Sequence, residues 1–180
     1  MATETLTLSG AGDEENIVNA THGIGQHWAD CDAIDGDVVY DGLQVWHRDL
    51  YNCDNPVGIG AADTINSVRV YIYCKKITEH GGTSYCQESI KSGGVAANAG
   101  SNVVTTSYQW FSALWATPPE GGSWTLAKLI ALQVGLRVYA DLPDKIPEVV
   151  YCDKVQAVVD YTPAPVPRHG FVNFQVPGIV

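Results

Sequence analysis

Apolar and polar positions alternate with a period of two along much of this chain, the signature of half-buried strands rather than helices. The clearest run is Ile65 to Ile77, which includes Val68, Val70, Ile72 and Cys74 on one parity. Thr78–Gly82 follows as a turn, and Thr83 to Lys91 as a second strand, so the pattern predicts a hairpin. A third run spans Val149 to Tyr161, where Val155, Ala157, Val159 and Tyr161 alternate with Lys154, Gln156, Val158 and Asp160. Thr3 to Leu8 suits a first strand, and Ser9 to Asn16 reads as a turn-rich loop. Residues 17–64 show only short strand candidates, Asp37–Tyr40 and Leu43–Trp46, within long connections. Connections of that length usually carry a function or an interface.

The stretch Thr105 to Thr117 is apolar on both parities. Tyr108, Trp110, Ser112 and Leu114 fall on one face, and Gln109, Phe111, Ala113 and Trp115 on the other. This predicts a strand inside a sheet, covered on both sides, and stopped by Pro118, Pro119, Gly121 and Gly122. A helical stripe of Leu126, Leu129, Ile130 and Leu132 then predicts a short helix over Thr125–Gln133, capped by Ser123 and closed by Gly135. Leu136–Ala140 returns to strand. The whole reads as an all-β antiparallel sandwich over residues 1–162, with one short helix. Residues 163–180 form a Pro-rich linker and an apolar C-terminal arm carrying Phe171, Val172, Phe174, Val176 and Ile179. An apolar arm is unfavourable in water, so it should dock on its own domain or on a neighbouring subunit.

Composition narrows the class. The net charge is −10, with −11 over residues 1–63 and +1 over residues 64–180. Phosphate recognition needs clustered Lys and Arg, so nucleic-acid binding is not expected. No run approaches the ~18 apolar residues of a transmembrane helix, and the first residues lack the pattern of a secretory signal. Synthesis in a cytoplasm is the expectation.

The five cysteines form no Cys-x-x-Cys pair. Cys74 with Cys86, across the expected hairpin, and Cys31 with Cys53 are the candidate disulfides; the alternative is five small buried thiols. His22, His27, Cys31, His47 and Cys53 match no tight zinc spacing. Asp30, Asp32, Asp35, Asp37 and Asp41 cluster around Gly36, and such carboxylates could hold a structural calcium or simply be solvated. Otherwise no cofactor is expected. No nucleophile elbow, phosphate loop or dinucleotide fingerprint is present, so the expectation is a non-enzyme. Trp46, with Tyr51 near it, is the candidate platform for stacking a sugar ring, whereas Trp110, Trp115 and Trp124 read as core.

Taken together, Trp124-Thr125, Leu129, Leu132-Gln133, Gly135-Leu136 and Val138, with the strand at Thr105–Tyr108 and Trp28 before an acidic cluster, resemble a jelly-roll domain. That domain occurs in structural proteins of tailed-phage particles. The resemblance spans residues 3–162. It implies an antiparallel jelly-roll β-sandwich and a non-enzymatic virion protein, above all a capsid decoration (cementing) protein assembling by multivalent contacts. Its partners would be the major capsid protein, other virion subunits and further copies of itself. The alternatives are a carbohydrate-binding jelly-roll module of a tail fibre or secreted assembly, and a subunit of an extracellular filament.

Overall fold

The strongest alternating runs become the two longest strands, and they lie side by side. The computed structural model describes residues 1–23, 25–77, 82–141 and 148–165. Its strands are β1 (Ala2–Leu6), β2 (Leu8–Glu15), β3 (Asn19–Ala20), β4 (Val39–Asp41), β5 (His47–Cys53), β6 (Thr64–Lys76), β7 (Tyr85–Ser92), β8 (Val95–Asn98), β9 (Asn102–Val103), β10 (Gln109–Trp115), β11 (Gln133–Tyr139) and β12 (Val150–Thr162). A 3₁₀ turn covers Ala29–Cys31, and the helix α1 covers Leu126–Ile130.

Sheet A runs β10–β6–β12–β4–β3, with β1 also beside β12. Sheet B runs β2–β5–β11–β7–β8, with β9 also beside β7. The pairings are antiparallel, with β6 and β12 joined along most of their lengths. From β5 to β7, and again from β10 to β12, successive strands switch sheets, so the chain wraps as a jelly-roll sandwich. Period-two alternation puts Val68, Val70, Ile72, Val155, Ala157 and Val159 of sheet A against Tyr51, Ile90, Val134, Leu136 and Val138 of sheet B. Each is almost fully buried, and burying one such aliphatic side chain contributes about 1.5–3 kcal/mol. Trp124, Leu129 and Leu132 belong to the same core.

Several sequence expectations change here. The Thr78–Gly82 turn does not close a hairpin, because β6 lies in sheet A and β7 in sheet B; residues 78–81 are outside the described set. Ser9–Asn16 is not a loop but most of β2, a bulged strand on β5. The helix is shorter than expected, and Thr125 caps it through its hydroxyl, which accepts from the Lys128 N–H. Ser123 does not cap; its carbonyl accepts from Lys128 Nζ. Gln109–Trp115 is not an internal strand: among the described residues β10 pairs with β6 alone and forms the edge of sheet A. The arm residues Phe171, Val172, Phe174, Val176 and Ile179 lie outside the described residues. Before them, the Ala164 N–H donates to Asp63 Oδ1 at 2.7 Å.

Gly135 was expected to close the helix, yet it sits within β11, opposite Leu50 of β5 and Ser89 of β7. A Cβ there would collide with the Asp49 carbonyl oxygen and come within 2.9 Å of its carbon. Backbone cannot swing aside as a side chain can, so two central strands would have to part. Gly135→Ala is expected to cost at least about 2 kcal/mol, as overpacking of a tight site does. Thermal unfolding followed by circular dichroism measures it, and an unchanged Tm would contradict the close approach.

Candidate functional site

The outer face of sheet B is built from the residues that alternate away from the core. Register places Arg137 of β11 between Arg48 of β5 and Gln87 of β7, and Tyr139 beside Tyr85. One row further on, Gly135 lies between Leu50 and Ser89, and Ser89 faces Asn98 of β8. Between Ala11 and Glu15 the β2 strand bulges, with four residues spanning what β5 covers in two. The bulge reaches over the sheet. The Asp13 N–H donates to Gln133 Oε1 at 3.2 Å, and Lys91 Nζ donates to Asp13 Oδ2 at 2.5 Å. Leu50 stands outside the core cluster yet is fully buried, which the bulge explains.

Beside the bulge lies a depression of about 430 Å³, lined by Glu14, Asn16, Trp46, His47, Arg48, Asn98 and Arg137. Its polar groups are held in defined positions. Arg48 donates through Nε and Nη2 to the Glu14 carboxylate at 2.8 and 2.6 Å, and through Nη1 to Asn98 Oδ1 at 3.3 Å. Arg137 differs: its guanidinium carbon lies 4.8 Å from the centroid of the Trp46 ring, and among the described residues none accepts a hydrogen bond from it. Partial burial, and next the charge of Arg48, lower its pKa from the ordinary arginine range. Trp46 also leans on Tyr139, with centroids 5.5 Å apart, and Tyr139 on Tyr85 at 6.3 Å. An aromatic ridge therefore borders a depression that contains one unpaired cationic fork.

The loop that carries Trp46 is pinned at both ends. Asp41, buried at the end of β4, accepts from the Leu43 N–H at 2.9 Å and lies 2.5 Å from His47 Nδ1. The Leu43 carbonyl accepts from the Ala140 N–H, and Gln44 Nε2 donates to Asp141. Asp41 thus positions the indole.

The expected calcium set does not assemble as one. Asp41 belongs to the Trp46 loop. Asp35 accepts from the Asp37 N–H at 3.1 Å, closing its own turn, and the Asp32 carbonyl accepts from Lys154 Nζ. Among the described residues, the donor atoms that gather within 4.8 Å are those of His22, Asp30 and Asp37. There His22 Nδ1 is 2.7 Å from Asp30 Oδ1, and that hydrogen bond raises the His22 pKa. The wider His/Cys set disperses: His27 pairs with Asp49 and His47 with Asp41.

Tyr51 is not a platform. It is fully buried, and its hydroxyl donates to Asp49 Oδ2 at 3.2 Å. The expected disulfides Cys74–Cys86 and Cys31–Cys53 are not formed, because all five cysteines are free, buried thiols. Cys74 lies in the core between the Cys152 and Cys86 thiols, and burial pushes the Cys53 pKa up to about 12. The sequence reading missed Arg48, Arg137, Tyr85 and Tyr139. Arg137 and Tyr139 share a parity two residues apart, but their neighbours on other strands come from long-range register.

No protein-family model matches this chain, and a comparison with curated proteins finds no match. Solved structures similar to it include two carbohydrate-binding modules by their descriptions. One is TmCBM61 in complex with beta-1,4-galactotriose, at 9% identity over 86% of each chain and a TM-score of 0.42. The other is described as CBM4, at 12% identity over 71% of this chain and 74% of that one, with a TM-score of 0.35. The likeness brings no residue correspondence with it.

Proposed function

We propose that the chain is a non-catalytic carbohydrate-binding module whose oligosaccharide lies along the outer face of sheet B. The observation that carries this is Arg137, an arginine with unused donors stacked on the Trp46 indole at the wall of a polar depression. Sugars present apolar C–H faces and dense hydroxyl groups. The Trp46–Tyr139 ridge suits the first. Arg137 donors, with the Glu14 and Asn98 oxygens as acceptors, suit the second. The depression falls within the ~300–1,000 Å³ of small-ligand sites.

The test is a titration of the folded chain with an oligosaccharide panel that includes beta-1,4-galactotriose, the sugar held by TmCBM61. Trp46→Ala and Arg137→Ala should each weaken binding about tenfold or more, since each removes on the order of 1.4 kcal/mol of contact. Circular dichroism should leave both variants folded. If every sugar in the panel fails to bind, or if the variants bind as tightly as the parent, the reading is wrong.

A second reading, a virion structural subunit, is favoured by one observation: Trp110 and Leu114 are 45% and 51% exposed on the open edge of sheet A. Incorporation of the tagged chain into particles would separate that reading from sugar binding.

A further inference from the structure

We infer that the free edge of β10 is a self-association site, pairing antiparallel with β10 of a second copy about a two-fold axis at Ser112. The starting point is a mismatch between composition and position. Gln109-Trp-Phe-Ser-Ala-Leu-Trp115 is apolar on both faces, as an internal strand is, yet it lies at the border of its sheet. Edge strands are normally protected by charge, proline, a bulge or shortness. The other edges have such protection: β2 is bulged and carries Asp13, Glu14 and Glu15, β1 carries Glu4 within five residues, and β3, β8 and β9 are two to four residues long. β10 has none of these devices. It has seven residues, no charge, no proline and an unbroken register against β6. Along its outer side, among the described residues, one main-chain partner is seen, the Trp115 carbonyl accepting from Trp124 Nε1 at 3.0 Å.

Two features select a second copy as the occupant. The first is register. Pairing about Ser112 overlaps all seven residues and sets large against smaller side chains: Trp110 faces Leu114 of the other copy, and Phe111 faces Ala113. The second is charge. The chain carries −10 overall, with −11 within residues 1–63, so most faces of two copies repel. At this edge β10 is neutral, and along its register the adjoining β6 holds Arg69 but no acid. The two Arg69 residues would be three strand spacings apart across the sheet, roughly 14 Å, and four residues apart along it, roughly 13 Å, beyond the screening length at physiological salt. The joined sheets would form one continuous layer and leave both outer faces of sheet B open.

Sedimentation velocity on the full chain over a range of concentrations is the test. A concentration-dependent dimer is expected, weakened at least tenfold by Ser112→Lys, which sets two like charges opposite one another at an exposed position. Ser112→Cys should form a covalent dimer on mild oxidation, since the axis brings that residue against its own copy. Gln109→Cys, opposite Trp115, should not, and the native thiols are all buried. A monomer at every concentration would overturn the inference. So would a dimer that neither Ser112 variant alters, because another face would then hold it together. The outcome is independent of sugar binding, which the Trp46 variant reads separately.

Discussion

Replacing Asp49 with alanine is expected to lower the unfolding free energy by about 3–5 kcal/mol, the cost of stripping a buried charge network of one partner. Asp49 is fully buried, and four donors converge on it. Oδ1 accepts from the Asn16 and Ile17 N–H groups at 2.7 and 2.8 Å. Oδ2 lies 2.6 Å from His27 Nδ1 and 3.2 Å from the Tyr51 hydroxyl. This one carboxylate therefore ties the chain leaving β2, the loop before the 3₁₀ turn and the core side of β5 together. Alanine would leave the buried Ile17 N–H without its acceptor and the Tyr51 hydroxyl without its oxygen partner, at about 1–3 kcal/mol each, whereas the Asn16 N–H keeps the Arg48 carbonyl at 3.2 Å.

The effect should depend on pH in a set direction. His27, 2% exposed, has its pKa raised above 6.5, chiefly by the hydrogen bond with Asp49 and then by nearby charges that include Glu15. A raised folded-state pKa stabilises fully below the unfolded value and loses that contribution as pH climbs through the folded value. The gap between parent and Asp49→Ala should therefore be widest at pH 6 or below and narrow toward pH 9, by about the His27 share. Urea unfolding at several pH values measures it. A gap that widened with rising pH would contradict a protonated His27 beside Asp49.

How much of this was legible in the sequence depends on which periodicity each part obeys. β6 and β12 were readable because each is thirteen residues of nearly regular alternation, and regular alternation is a local property. β5 was not, because His47, Arg48 and Asp49 at its start place three polar residues in succession, two facing a site and one facing an internal network. Tyr51 could have been set aside from the sequence alone. It is five positions from Trp46, and an odd spacing along an extended chain puts two side chains on opposite faces. Trp46 points to the depression, Tyr51 to the core. The edge position of β10 was beyond such reasoning: apolar residues on both faces say that cover is wanted, but only the strand order says on which side it is lacking. The same holds for the Arg48–Arg137 pairing, which depends on a register between residues eighty-nine positions apart.

Lys76→Met is the second large effect, expected at about 3–5 kcal/mol because it leaves a buried carboxylate without its counter-ion. Glu148 is fully buried and Lys76 is partly buried, at 14% exposure. The ammonium donates to Glu148 Oε1 and Oε2 at 2.9 and 3.1 Å and to the Gly82 carbonyl at 2.8 Å, while Ser84 Oγ donates to Oε2 at 2.7 Å. These bonds fasten the end of β6, the chain entering β7 and the chain entering β12 at one end of the sandwich. With methionine in place of lysine, Ser84 would be the remaining side-chain donor to the charge among the described residues. Adding Glu148→Gln to Lys76→Met should recover most of the loss, because a neutral amide is far less costly to bury than an unpaired carboxylate. Denaturant midpoints at constant m-value separate the cases, and a single-variant loss below about 1 kcal/mol would mean that the pair behaves as a surface ion pair does. Because the site on sheet B depends on β7 and β11 keeping register, the double variant should also retain whatever sugar affinity the parent has, even where its stability falls short.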